Sequence, residues 1–116
     1  MDPTDRLYTK EQVWLLILDK EIAVGVTRTA LQQCGKILYV DYPQEDQYVQ
    51  LNEHIVVIEG ELANIVVQSP VQGQITAVNE GLADSPELLK LDPYDLGWLV
   101  RIESDGKVVL DKECDK

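Results

Sequence analysis

Side chains able to do chemistry are few and scattered in this chain. His54 is the only histidine, and it follows Asn52-Glu53 at what reads as a strand start. A histidine can activate a serine, but Ser69 and Ser104 both stand in turn sequences, Ser69-Pro70 and Ser104-Asp105-Gly106. Glu59 and Glu61 make a carboxylate pair, yet two acids astride a tight turn point into water rather than at a substrate. Cys34 and Cys114 are far apart and have no metal-ligand spacing. Cys34 reads as a small buried hydrophobe and Cys114, in a charged tail, as a free thiol. A reducing cytoplasm argues against a disulfide between them. No glycine-rich phosphate loop, acidic metal loop or Cys/His cluster is present. The chain reads as a non-enzyme without a metal site.

The element that organises the rest is the stretch Ile55 to Val67. Two β-branched runs, Ile55-Val56-Val57-Ile58 and Ile65-Val66-Val67, flank the break Glu59-Gly60-Glu61-Leu62-Ala63. That pattern predicts a β-hairpin with an exposed tip, Gly60 supplying the backbone freedom of a tight turn. Upstream, Val13 to Leu18 is an apolar run of strand length, and Asp19-Lys20 is a turn. Ile22, Val24 and Val26 then alternate with Glu21, Ala23 and Gly25, the period of a half-buried strand. Thr27 is placed to cap a short helix running through Cys34, with Gly35 in the left-handed position that ends it. Ile37 to Val40 is the next strand.

An internal repeat follows. Pro43 has Asp46 three residues on and Asn52-Glu53 nine and ten on; Pro70 has Gly73, Asn79 and Glu80 at the same spacings. The copies are offset by 27 residues, and the Glu59–Ala63 break falls at their joint. Aspartate at position 46 tolerates the left-handed backbone that glycine would take. Ser85-Pro86-Glu87 reads as a helix start, with serine as the cap and Leu88 and Leu89 inward. Trp98 to Ile102 reads as a last core strand anchored by Trp98. Ser104-Asp105-Gly106 is a turn signal, Val108-Val109-Leu110 a short strand, and Asp111 to Lys116 a charged tail.

At 116 residues and 45% hydrophobic content, the chain has the size of one small domain with a single core. No apolar run approaches membrane-spanning length, and no secretory signal opens the sequence, so cytoplasmic residence is expected. Net charge is −11, and from Ile37 to Leu89 there is no lysine or arginine. Nine acids occupy that span: Asp41, Glu45, Asp46, Glu53, Glu59, Glu61, Glu80, Asp84 and Glu87. Such a surface repels nucleic acid and anionic membrane. A solvated acidic face and a docking face both stay open as its meaning.

The hairpin together with Ser69-Pro70-Val71-Gln72-Gly73, Val78-Asn79-Glu80, Asp92-Pro93-Tyr94 and Gly97-Trp98-Leu99 resembles the glycine cleavage system H protein family, a family of lipoyl carriers. The resemblance covers Tyr8 to about Ile102; residues 103–116 diverge, where the family usually has a C-terminal helix. It implies an all-β fold with short helices: a lipoyl/biotinyl-type flattened β-barrel, or sandwich, with an N-terminal hairpin extension, in a single domain spanning 1–116. In that family the tip reads Glu-Ser-x-Lys-Ala, and its lysine holds lipoate through an amide. The matching residues here are Glu59, Gly60, Glu61, Leu62 and Ala63, so the attachment position is Leu62.

Leucine has no amine, and no lysine lies between Lys36 and Lys90. The expectation is a chain without a cofactor, its former lipoyl-attachment position at Leu62. Three functional readings follow. One is a non-lipoylated H-like binding or regulatory module whose partners are the glycine cleavage or lipoate-attaching enzymes. The second is a lipoyl carrier that shuttles the aminomethyl group of glycine cleavage. The third is a structural subunit unrelated to lipoate. The chemistry further predicts that Leu62→Lys restores lipoate acceptance weakly, and better alongside Gly60→Ser.

Overall fold

The computed structural model describes residues 6–9 and 12–104. The expected strand Val108–Leu110 and the charged tail lie outside those residues. Among the described residues, β1 (Leu7–Tyr8), β2 (Val13–Leu18), β3 (Glu21–Val26), β9 (Val100–Ser104), β8 (Gly73–Val78) and β5 (Tyr48–Val49) form one sheet in that spatial order. A second sheet runs β4 (Ile37–Asp41), β6 (His54–Gly60), β7 (Asn64–Gln68). Three short helices complete the chain: α1 (Arg28–Gln32), α2 (Gly81–Asp84) and α3 (Leu88–Leu91). The sheets do not close into a barrel; they enclose one core whose fully buried members include Leu15, Val24, Ile58, Ile75, Leu99 and Ile102. This is the expected all-β sandwich with short helices, with β2 and β3 as its N-terminal hairpin. No helix among the described residues is long and apolar enough to cross a membrane.

The repeat is built into the pairing. β5, after Pro43, lies antiparallel to β8, after Pro70, with Tyr48 opposite Gln74 and Val49 opposite Gly73. Asp46 N donates to Ile75 O and Ile75 N to Gln47 O, each at 2.8 Å. Asp46 takes φ 68°, the left-handed turn that its short polar side chain tolerates. The copies then part: Asn52-Glu53 leads into β6, whereas Asn79-Glu80 leads into α2.

Several local expectations change. β3 is buried on both faces rather than one, because Ala23 and Gly25 lie under other elements. Trp14, paired with Gly25 across β2 and β3, lays its indole where a Cβ at position 25 would stand. Its Nε1 donates to Pro93 O at 3.1 Å, and the Arg6 guanidinium sits 4.6 Å from its ring centroid. Trp14, at 1% exposure, is therefore the buried tryptophan; Trp98 precedes β9 half-buried, with Arg101 5.2 Å from its ring centroid. Ser85 caps nothing with its side chain: it ends α2, and Glu87 precedes α3. Ser104 is the last residue of β9, and the turn expected over Ser104-Asp105-Gly106 runs outside the described residues. Helix α1 has the predicted cap, Thr27 Oγ1 accepting from Ala30 N at 3.3 Å, but it ends at Gln32. Gly35 is left-handed as expected, at φ 71°.

Candidate functional site

The β6–β7 hairpin ends in a tight tip. Ile58 faces Ile65, Glu59 faces Asn64, and Gly60 N donates to Ala63 O at 3.0 Å. Inward Val56, Ile58 and Val67 anchor the base in the core. Glu59, Glu61, Leu62 and Ala63 are exposed, and Leu62 retains 75% of its accessible surface. Every residue singled out at the tip is thus brought to one end of the sandwich. Glu59 and Glu61 stand in open solvent, as the sequence indicates, without the enclosure that would turn a carboxylate pair into an acid–base dyad.

The tip is not free-standing. The corner between α1 and β4 packs against it, with Lys36 O accepting from Glu61 N and Cys34 O from Leu62 N, both at 2.8 Å. Lys90 Nζ, from α3, donates to Gly35 O at 2.8 Å and ties the same corner down. This contact explains Gly60. Among the described residues the positive-φ glycine is Gly35, so Gly60 is not there for backbone freedom. It is there for space: a Cβ at position 60 would lie 2.5 Å from Cys34 O, 2.6 Å from Cys34 Cβ and 2.7 Å from Ala63 O. Gly60→Ser therefore displaces the corner instead of improving the tip, which corrects the expectation for that substitution. Gly35 also makes room for the tip, since its Cβ would stand 2.9 Å from Leu62 Cγ.

A groove of about 290 Å³ opens beside the tip, lined by Gln12, Ala30, Gln33, Cys34, Ala63, Asn64 and Ile65. Cys34 contributes a buried wall, its Sγ directed at Ala30 O at 3.7 Å. Burial pushes this thiol above its ordinary range, and the nearby Lys90 charge only partly offsets that, so it is a structural cysteine. His54 and Ser69 form no catalytic pair. His54 is exposed, with Nε2 3.5 Å from Gln68 Nε2. Ser69 is wholly buried, and its Oγ donates to Val71 O at 2.5 Å. No group of three or more metal-binding side chains occurs among the described residues.

Lys36 lies outside both hairpin strands in the sequence, yet the fold carries its backbone to the tip. It is exposed, and its backbone is bonded to the tip although 26 positions separate it from Leu62. Its only sequence signal is its place just after Gly35, at a helix end that precedes a strand.

A family model described as "Glycine cleavage H-protein" matches residues 6–113. A glycine cleavage system H protein from Magnetococcus marinus is 35% identical over 109 residues, covering 94% of this chain and 78% of that protein. One from Myxococcus xanthus is 38% identical over 108 residues, covering 92% and 84%. A crystal structure of a glycine cleavage system H protein from Mycobacterium marinum superposes with a TM-score of 0.86 at 29% identity, covering 93% of this chain and 89% of that one. The expectation that the chain has no cofactor is overturned by these matches, because they place it among the H proteins, whose cofactor is lipoate. The expectation was drawn from position 62 and from the absence of lysine between Lys36 and Lys90. Leucine at position 62 cannot form the amide, but the residue at one position does not decide whether the chain belongs to a lipoate-carrying family. The matches also make the chain a carrier-family protein rather than an enzyme.

Proposed function

The chain belongs to the glycine cleavage H-protein family, and on that premise we propose that it is a lipoate-bearing carrier of glycine cleavage, working from its β6–β7 end. The observation that carries this reading is the tip itself, exposed yet held by two 2.8 Å backbone bonds from the α1–β4 corner. A carrier must offer its group to enzymes in a fixed geometry, and a site on strands braced by a second element does that better than a loose loop. Lipoate, when bound, supplies the dithiolane that takes up an aminomethyl group.

The chain's own residues have narrower tasks. Val56, Ile58 and Val67 seat the hairpin, Gly60 and Gly35 allow the corner to close on it, and Lys90 holds that corner. Glu59 and Glu61 keep the tip acidic, which suits cationic docking surfaces on the glycine cleavage or lipoate-attaching enzymes. Position 62 is the family's attachment position by its place in the motif; Leu62 leaves it without an acceptor, and its role here is contact. The reading includes one domain over the whole chain and residence in the cytoplasm. Nucleic acid is excluded as a partner by the acidic surface.

Intact-mass spectrometry tests the proposal. The unmutated chain is co-expressed with lipoate-attaching enzymes, beside a carrier that has lysine at its tip as a loading control. One lipoyl increment per chain is expected. A loaded control beside an unloaded chain refutes the carrier reading, and binding of that unloaded chain to the cleavage enzymes would show a docking module instead.

A further inference from the structure

We propose that β7 pairs with β7 of a second copy of this chain, antiparallel and centred on Val66, joining the two three-stranded sheets edge to edge. β7 is an edge strand, with β6 on one side and no strand on the other. Gly60 N donates to Ala63 O at one end of the hairpin, and Ser69 N donates to Glu53 O at the other. Main-chain groups alternate along an antiparallel ladder, so residues 63, 65, 67 and 69 bond toward β6. The N–H and C=O of Asn64, Val66 and Gln68 then turn to the open side. No main-chain partner meets them there among the described residues. Asn64, Val66 and Gln68 are also the exposed residues of the strand.

Exposed strand edges are ordinarily blunted by shortness, charge, proline, bulges or cover. The other sheet ends among the described residues follow that rule. β1 and β5 are two residues long. β4 has a register shift between Ile37 and Tyr39, ends in Asp41 and lies beside α2. β7 has none of these devices. Its residues, Asn64-Ile65-Val66-Val67-Gln68, include no charge and no proline, and the register shift in its ladder falls on β6, between His54 and Val56. The groove beside the tip has Asn64 and Ile65 in its wall, so space stays open next to this edge.

Two observations select a second copy as the occupant. The strand reads nearly the same in both directions about Val66. Antiparallel pairing on that centre sets Asn64 opposite Gln68, Ile65 opposite Val67 and Val66 opposite Val66, amide with amide and β-branched with β-branched. Val66 exchanges both main-chain bonds with its counterpart, and Asn64 does the same with Gln68 of the second copy. Inward residues stay inward in this register, and the two-fold axis closes the contact on itself. The second observation is charge. Two chains of net charge −11 repel each other, so self-contact needs a surface without acids. From Leu62 to Asn79 no residue is charged, and β7 lies within that span. The two tips then stand at opposite ends of the joined sheet, and neither covers the other.

Sedimentation equilibrium on the full chain, from micromolar concentration to about 1 mM, tests the pairing. The contact is short and association correspondingly weak, so the mass is expected to rise from 13.1 kDa toward twice that value only at the upper end. Raising salt from about 50 mM to about 500 mM should tighten association severalfold, because it screens the repulsion between the two acidic copies. Val66→Lys puts two ammonium groups across the axis and should weaken association at least about tenfold, whereas Val66→Thr leaves it within about threefold. Val66 is 45% exposed, so both variants should keep the melting temperature of the unmutated monomer. Hydrogen exchange at high concentration should add protection at the Asn64, Val66 and Gln68 amides and leave Ile65 and Val67, already bonded to β6, unchanged. A dimer that Val66→Lys leaves intact, or one that protects other amides instead, overturns the proposal. A chain that stays monomeric at the highest concentration and salt also overturns it, and leaves this edge to a strand from a different protein.

Discussion

Replacing Gly60 by serine tests whether the α1–β4 corner is pressed onto the hairpin as closely as the structure shows. The new Cβ would fall 2.5 Å from Cys34 O, 2.6 Å from Cys34 Cβ and 2.7 Å from Ala63 O. None of these atoms is the far end of a flexible side chain, so relief requires the backbone to move. The easiest movement lifts the corner and breaks two hydrogen bonds, Glu61 N to Lys36 O and Leu62 N to Cys34 O. Each is worth about 1 kcal/mol net. Residual crowding adds about 1 kcal/mol, the low end for overpacking at a partly exposed site. The loss of about 3 kcal/mol lowers the melting temperature by about 12 °C, at roughly 4 °C per kcal/mol for a domain of this size. Differential scanning calorimetry reads that shift, and hydrogen exchange should show the Glu61 and Leu62 amides losing protection. Gly81→Ser is the control, because a Cβ there meets only Asn79 Oδ1 at 3.4 Å. A Gly60→Ser melting temperature within about 3 °C of the unmutated chain, less than roughly 1 kcal/mol, would refute the argument.

Other outcomes follow from the same packing. Lys90→Met leaves Gly35 O without its side-chain donor and should cost about 1–2 kcal/mol, read as a lower denaturation midpoint with faster exchange at Leu62. Tyr42, whose hydroxyl donates to Asn79 O at 2.6 Å, has its pKa pushed up to about 12 by burial and, secondarily, by the Glu80 charge. Folding thus favours its protonated form, a contribution fully present below the ordinary tyrosine value of about 10 and lost as pH rises toward about 12. Tyr42→Phe should flatten the fall in stability over that alkaline window, and an unchanged slope would count against the assignment. Cys34, at 1% exposure and with its thiol pKa raised, should resist iodoacetamide at neutral pH in the native protein and react on unfolding, as peptide mapping would show.

Much of the scaffold was legible because it depends on short-range pattern. The Val13–Leu18 and Ile55–Ile58 runs, the Thr27 cap and the left-handed Gly35 are local signals with local causes, and each stands where the sequence places it. The 27-residue repeat was visible as spacing, and it becomes a pairing of β5 with β8. Other features were hidden because their causes are distant in the chain. β3 reads as half-buried, since Ala23 and Gly25 carry no sign that Trp14 will cover the second face. Ser85 and Trp98 have the residue types of a cap and an anchor, but packing gave those structural places to Glu87 and Trp14.

The sequence by itself determined the sandwich, its hairpin and the identity of the tip, Leu62 included, because alternation and turn residues act over a few positions. It also determined that position 62 cannot form an amide. Only the tertiary structure decided what surrounds that position. Sheet pairing of β4 with β6 carries the α1–β4 corner onto the tip, so Gly60 serves close approach rather than a turn, and Lys36 becomes the tip's neighbour. The physical reason is that strand register converts a separation of many residues into a hydrogen bond, and no pattern along the chain records which strands will meet.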